Sequence, residues 1–205
     1  MFWWLIGFPL IFIIIVITIA LLIGKKDRKK QREQQEEDKK NLLKSNPKQA
    51  VYNYFDQKKE FSETLFKDVN IKNTSTDAHI DIVYISKKGI YLIDVVGNQG
   101  KITGDTNGEY WVDKVVEEYA VRNPLYKDER LVEVFENIIG VMLHIHHVVV
   151  CPNADITSIV NNDNDVIGMF NFFDIFDSLE DVFNDNDLMI SYNSLNNYLA
   201  RQNNE

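Results

Sequence analysis

The chain begins with an unbroken apolar segment and then becomes sharply polar. No charged residue occurs from Phe2 to Gly24, where Ile, Leu, Val, Phe and Trp dominate. Because a helix rises about 1.5 Å per residue, a segment of this length spans a hydrocarbon core of about 30 Å. The pattern therefore predicts that residues 1–24 form a transmembrane anchor, with Trp3 and Trp4 at one membrane interface.

A cleaved signal peptide is the alternative interpretation of this segment. Signal peptides carry positive charge before the apolar core and a small-residue cleavage site after it. Here Gly24 leads straight into Lys25 without an Ala-x-Ala pattern, which favours the anchor. Since basic residues mark the cytoplasmic end of an anchor, we expect a single-pass protein of the cell membrane, with its N-terminus outside and its C-terminal domain in the cytoplasm. The six basic residues after the anchor are Lys25, Lys26, Arg28, Lys29, Lys30 and Arg32.

Residues 25–48 form a charged segment without glycine, which predicts a helical stalk. Of the 22 basic and 31 acidic residues of the chain, 10 and 5 lie in this stalk, so 12 basic and 26 acidic residues remain from Gln49 onward. The stalk is therefore suited to anionic membrane lipid, whereas the domain has a net charge of −14. That charge disfavours nucleic acid as a partner without excluding a local basic groove.

Residues 49–205 form one domain of alternating helix-like and strand-like patterns. Ser45-Asn46-Pro47 is typical of a helix start, and a helix is predicted from Gln49 to about Lys67. Two runs of β-forming residues around Lys87-Lys88-Gly89 predict a hairpin over residues 80–96. Further strands are predicted at 68–71, 101–103, 109–116, 147–151 and 166–170, and helices at 122–139, 174–183 and 187–199.

This order of elements predicts an α/β fold, a mixed β-sheet flanked by helices and preceded by one transmembrane helix. Trp111 is expected in the core. Cys151 follows an apolar strand and is expected to be a buried small hydrophobe, and a single cysteine excludes an intramolecular disulfide.

Residues 68–155 resemble the nuclease-related domain (NERD) family, whose core is similar to the restriction-endonuclease-like fold of the PD-(D/E)XK nucleases. No single motif carries the resemblance; the ordered set does. Its members are Asp68-Val69, Ile80-Asp81, Ser86-Lys87-Lys88-Gly89-Ile90, Ile93-Asp94-Val95, Gly100-Lys101-Ile102-Thr103-Gly104, Trp111, Asn123-Pro124-Leu125 and Val148-Val149-Val150.

The resemblance implies a metal site on the hairpin. Asp81 and Asp94 would be the two catalytic carboxylates and the ligands of Mg²⁺, which prefers oxygen ligands. They would converge if both side chains faced the same side of the sheet. A lysine two residues after the second carboxylate would then orient water or stabilise phosphate charge.

The sequence departs from the family pattern at each supporting position. Val96 stands where the family lysine is expected, and no carboxylate occurs near Lys48-Gln49, where the family often carries a glycine-glutamate pair. Lys127 stands where a glutamine tends to follow the Asn-Pro motif. Lys127 or Lys101 is a candidate for a relocated catalytic lysine.

Two other groups invite a metal interpretation that the sequence does not favour. His144, His146 and His147 lack an acidic or cysteine partner at a diagnostic spacing. The Asp and Asn residues of segment 161–165 lack the glycine and terminal glutamate of an EF-hand, so a solvated loop is favoured.

Three hypotheses follow. The favoured one is a degenerate nuclease fold that acts as a binding or scaffold module rather than as an enzyme. The alternative is an active Mg²⁺-dependent DNA or RNA endonuclease with a relocated lysine. The third, which rests on the resemblance alone, is a defence or stress factor that senses nucleic acid at the membrane.

The charge asymmetry across the apolar segment predicts how the chain is oriented. In a Glu205→Cys variant, the new thiol should resist a membrane-impermeant label in intact cells and react after detergent permeabilisation, because the domain lies in the cytoplasm. Efficient labelling in intact cells would contradict the predicted orientation.

Overall fold

The structure is a computed structural model that describes residues 28–73, 76–114, 118–126, 129–140 and 144–202. The predicted anchor, residues 1–24, lies outside these ranges. In the part of the chain that the structure describes, no helix combines the length and apolar character that a membrane crossing needs.

Residues 28–45 are helical (α1), and the chain divides into two units after Asn41. In the first unit, polar side chains one turn apart contact each other along the helix. Lys29 Nζ lies 3.7 Å from Glu33, and Gln34 donates a hydrogen bond of 3.1 Å to Asp38. This i, i+4 pattern is typical of a solvated helix.

The second unit, from Leu42 onward, contains four more helices and nine strands among the described residues. They are α2 (Pro47–Lys58), β1 (Thr64–Asn73), β2 (Thr76–Ser86), β3 (Gly89–Val95), β4 (Lys101–Asp105), β5 (Tyr110–Lys114), β6 (Glu118–Arg122), α3 (Glu129–Ile139), β7 (Ile145–Cys151), β8 (Asp155–Val160), β9 (Val166–Gly168), α4 (Phe172–Phe176) and α5 (Asp185–Gln202).

The strands form two mixed sheets. The first has five strands in the order β1-β2-β3-β7-β9, with β1, β2 and β3 antiparallel and β3, β7 and β9 parallel. The second has the order β6-β5-β4-β8, with only β4 and β8 parallel. The predicted α/β class with a mixed sheet and flanking helices is confirmed, and the second sheet is an addition to it.

The first sheet is covered by helices on both faces, because successive strand residues point in opposite directions. Tyr84 packs with Phe55 of α2, their ring centroids 5.8 Å apart, and α4 completes this cluster. Val83 and Ile85 pack instead with Phe135 of α3, together with α5. We call these the α2 face and the α3 face.

The second sheet packs on the carboxyl end of the first. Trp111 is fully buried against Val96 and Val149, and its indole N–H donates to the carbonyl of Asp105 at 2.9 Å. The expectation that Trp111 lies in the core is confirmed. Cys151 is buried in the same cluster, and burial raises the pKa of its thiol to about 12.

The helix predicted to run to Lys67 ends at Lys58, which corrects that prediction. Leu65 and Phe66 belong to β1, where they pair with Tyr84 and Val83. Apolar residues spaced for a helix are used here by a strand, since pairing with β2 buries them more effectively than α2 would. Phe61, in the intervening turn, is fully exposed.

The helix predicted from residue 122 begins only at Glu129. The buried side chain of Asn123 explains the delay, because it holds the chain in a turn. Its amide N–H groups donate to the carbonyls of Thr106 and Gly108 at 2.7 Å, and its oxygen accepts from the backbone N–H of Leu125 at 3.0 Å.

Other elements differ in extent. Strands β6 and β8 were not predicted, and the helix expected at 174–183 is the short α4 followed by irregular chain. The irregular segment after α4 is held against the hairpin turn, because the backbone N–H groups of Val182 and Phe183 both donate to the carbonyl of Lys87. The hairpin itself and the strand ending at Cys151 are confirmed.

Candidate active site

A break in side-chain alternation on β1 and β2 creates the candidate site. Asp68 has a left-handed backbone with φ 52°, a conformation that Asp adopts more readily than most residues. Lys67 contacts Gln49 on the α2 face, whereas Val69 packs on the α3 face. Asp68 itself contacts His79, so two successive residues of β1 serve the α2 side of the sheet.

The same break occurs on the neighbouring strand. Ile80 packs on the α3 face, yet both Asp81 and Ile82 have their partners on the α2 face. Lys67 pairs with Ile82 and Val69 with Ile80, so the break on each strand lies opposite the other. The acidic residues at the two breaks are thereby brought to one side of the sheet.

Asp81 is the buried centre of this region, with 5% of its side chain exposed. One carboxylate oxygen, Oδ2, accepts the backbone N–H of Val95 at 2.8 Å. The other, Oδ1, contacts the ammonium group of Lys48 and lies 3.2 Å from His79 Nε2. A buried carboxylate needs such partners, since an unpaired charge away from water is very costly.

Lys48 is placed by the first turn of α2. Asn46 caps this helix through a hydrogen bond of 3.1 Å from the backbone N–H of Gln49, and Pro47 occupies its first position. Pro47 in turn lies against Gly97, where an added Cβ would come within 2.4 Å of the proline ring. A glycine two residues after β3 therefore allows α2 to bring Lys48 to Asp81.

Lys48 and His79 both contact Asp81, and neither was predicted as a site residue from the sequence. At Lys48-Gln49 the sequence indicates only that a carboxylate is missing. A lysine at a position where the family pattern has a metal-ligating acid reverses the local charge. This reversal is the sequence signal from which the contact with Asp81 could have been predicted. A basic side chain facing a buried aspartate forms an ion pair with it.

Asp94 has a different partner. Its Oδ2 lies 2.8 Å from Nε2 of His147, whose side chain is 2% exposed. Leu92, which precedes Asp94 on the same side of β3, packs on the α3 face and pairs with His147. The partners of Asp81 and Asp94 thus come from opposite faces of the sheet.

Among the described residues, one group of histidine, cysteine, aspartate or glutamate side chains could share a metal ion, and it consists of Asp68, His79 and Asp81. Their ligand atoms lie within 4.8 Å of one another. Asp94 is not a member of this group. The assignment of Asp81 and Asp94 as a catalytic, metal-binding pair stays a prediction.

The positions considered for a catalytic lysine lie in different parts of the chain. Val96, at the family lysine position, is buried among Ile102 and Trp111. Lys101 is exposed at the start of β4, where it pairs with Asp155 of β8. Lys127 lies outside the described residues, so its proposed catalytic role stays a prediction.

The histidine cluster divides into separate environments. His146 stacks on Tyr91 with ring centroids 5.3 Å apart, and burial, followed by the nearby His144, lowers the pKa of His146. His147 contacts Asp94 instead. Segment 161–165 makes loop contacts, with Asn161 donating to Asp105 at 2.8 Å.

The core combines an antiparallel hairpin, a parallel strand beside it and a preceding helix, with an aspartate where they meet. These features define a nuclease-like α/β core. A family model described as NERD, nuclease-related domain, matches residues 43–152. The chain belongs to this family, and the resemblance of its core to the PD-(D/E)XK nucleases follows from that membership. No curated protein matches the chain. No solved structure matches it either.

The contact between Gly97 and Pro47 predicts a matched pair of substitutions. Gly97→Ala should lower the free energy of unfolding by about 1–3 kcal/mol, because its Cβ displaces the rigid first turn of α2. Gly168→Ala is the control, since nothing lies within 4 Å of its added Cβ, and it should change stability by less than about 1 kcal/mol. Denaturant unfolding of the two variants measures the difference, and equal stabilities would contradict the proposed contact.

Proposed function

We propose that the protein is a non-catalytic member of its family, a nuclease fold that serves as a binding or scaffold module at the membrane. The observation that carries this proposal is the contact of the Lys48 ammonium group with the carboxylate of Asp81. A lysine in this place supplies positive charge from within the chain, where a nuclease would recruit it from a metal ion.

The chemistry of phosphodiester hydrolysis explains why this exchange matters. A catalytic metal binds several oxygen ligands at once and stabilises charge on the attacking water and on the phosphate. Here Asp81 is neutralised by Lys48, Asp94 is held by His147, and the lysine position is the buried Val96. Loss of one electrostatic stabiliser typically costs about 10²–10³ in rate, and several are altered together.

The domain's charge supports a binding role that does not involve nucleic acid. With 26 acidic and 12 basic residues from Gln49 onward, the surface repels a polyanion on average. Partners of the scaffold would be proteins or cations. The basic residues from Lys25 to Arg32 suit anionic lipid at the inner surface of the membrane.

The apolar segment supports a location at the cell membrane. Residues 1–24 would anchor the chain in a single pass, and the basic cluster would keep the family domain in the cytoplasm.

The alternative, a metal-dependent DNA or RNA endonuclease, is favoured by one specific observation. Lys48 itself brings an ammonium group to Asp81 and could act as the relocated lysine that orients water or stabilises phosphate. Such an enzyme would use Mg²⁺ or Mn²⁺ at Asp81 and Asp94. Lys101 and Lys127 remain candidates for the same role.

Nuclease assays of the full-length chain in mild detergent test the proposal. The natural chain should show negligible Mg²⁺- or Mn²⁺-dependent cleavage of DNA and RNA. A Lys48→Glu, Val96→Lys variant, which restores both family residues, should gain cleavage that Asp94→Ala abolishes. Because Val96 is buried and its replacement by lysine can disturb the fold, Lys48→Glu alone is a second variant. It should bind Mn²⁺ more tightly than the natural chain, and Lys44→Glu, at an exposed position in α1, is its charge-matched control.

The opposite outcome is equally well defined. If the natural chain cleaves nucleic acid and Lys48→Met, Lys101→Ala or Lys127→Ala stops it, the endonuclease is correct and the scaffold proposal is wrong. Retained cleavage in Lys44→Met would show that the loss is specific. Thermal unfolding of each variant ensures that a lost activity is not a lost fold.

A further inference from the structure

The cluster of Asp68, His79 and Asp81 has the dimensions of a metal site that differs from the one its family implies. His79 Nε2 lies 3.2 Å from Asp81 Oδ1 and 3.8 Å from Asp68 Oδ1. For tetrahedral zinc, bonds of about 2.0–2.1 Å place neighbouring ligand atoms about 3.3 Å apart. The two distances from His79 are close to this separation, and all three ligand atoms lie within 4.8 Å of one another.

The orientation of His79 provides a second observation that points to a cation. Its Nδ1 lies 3.1 Å from the amide oxygen of Asn70, which is an acceptor, so this contact favours the tautomer with the proton on Nδ1. The Asn70 nitrogen faces the Asp68 carbonyl at 3.5 Å, in keeping with this amide orientation. In the neutral ring, Nε2 then presents its lone pair to two carboxylate oxygens.

An acceptor facing two anionic acceptors is repulsive unless a positive charge lies between them. Lys48 supplies positive charge to one of these oxygens, and a metal ion between the three atoms would supply it to all of them. A metal-binding histidine usually donates a hydrogen bond from one ring nitrogen to an oxygen atom, while its other ring nitrogen is directed at the metal and its acidic ligands.

The carboxylate of Asp81 is also oriented toward the position where a cation would bind. The backbone N–H of Val95 holds its Oδ2 at 2.8 Å, which leaves Oδ1 directed toward His79. This oxygen is also the one that Lys48 contacts, and the Lys48 side chain is 49% exposed. The ammonium group can therefore leave for solvent when an ion arrives.

We propose that Asp68, His79 and Asp81 form a site for a divalent transition-metal ion of the zinc class, with the Lys48 ammonium group as its competitor. One imidazole and two carboxylates suit Zn²⁺, Co²⁺ or Mn²⁺ better than Mg²⁺, which demands oxygen ligands in octahedral geometry. The site uses β1 and β2, whereas the arrangement implied by the family uses β2 and β3. It shares only Asp81 with that arrangement.

Titration of the untagged full-length chain with Zn²⁺, followed by calorimetry, tests the inference, and Co²⁺ absorption reports the coordination. We expect one ion per chain with a four-coordinate Co²⁺ spectrum. His79→Gln and Asp68→Asn should each weaken binding at least about tenfold. His144→Gln and Asp174→Asn, an exposed carboxylate of α4, are the matched controls and should leave the affinity unchanged.

A further variant tests the competition directly. Lys48→Met should bind Zn²⁺ more tightly than the natural chain, because the competing ammonium group is gone, and Lys44→Met should not. Absence of stoichiometric Zn²⁺ binding in both the natural chain and Lys48→Met would overturn the inference and assign the Nε2 position to a proton. Binding that depends on Asp94 and not on His79 would overturn it as well. Zn²⁺ binding without nuclease activity leaves the proposed scaffold function intact, so the two proposals fail separately.

Discussion

Asp81 is a buried carboxylate at the point where β2 and β3 stop pairing, and its need for partners organises the surrounding structure. The last recorded pair joins Ile82 to Ile93, and beyond it the Asp81 side chain accepts the N–H of Val95 that the ladder leaves unpaired. Its second oxygen requires positive charge, since a buried carboxylate is not tolerated without compensation. Lys48 lies where it can supply that charge, and His79 Nε2 lies 3.2 Å from the same oxygen.

The rest of the site is built to deliver those partners. Asp68 adopts a left-handed backbone that interrupts the alternation of β1, and this interruption turns the acidic cluster toward α2. Gly97 leaves room for Pro47, so the first turn of α2 reaches the end of β3. The hydrophobic clusters on the two faces of the sheet consist of other residues. A family member can therefore exchange its site chemistry while it retains its fold.

Two substitutions relative to the family pattern give the site its character. A basic residue stands on the helix where an acidic one is expected, and an apolar residue stands on β3 where a lysine is expected. In the proposed scaffold role, the positive charge would have moved from the strand to the helix and would act on Asp81 rather than on a substrate. This relocation is compatible with loss of phosphodiester chemistry and with the emergence of a different cation site.

Much of the fold could be predicted from local sequence, and most of the site could not. The hairpin around Gly89 and the apolar strand ending at Cys151 have strong local signals, since turn residues and β-branched runs act over short distances. The longer β1 was missed because Leu65 has helical spacing relative to α2, and only tertiary pairing makes it a strand. Lys48 and Asp81 are 33 positions apart in the sequence, and no hydrophobic periodicity predicts their contact.

The central claim is that Lys48 stabilises Asp81 from within the chain, and a double-mutant cycle measures this directly. Lys48→Met, Asp81→Asn and the double variant, compared by denaturant unfolding, should give a coupling energy of about 1–2 kcal/mol. The exposed pair of Lys59 and Asp56, 3.7 Å apart, is the control and should couple by less than about 0.5 kcal/mol. Coupling between Lys48 and Asp81 no larger than that of the control would contradict the claim that this lysine has taken over the role of the metal.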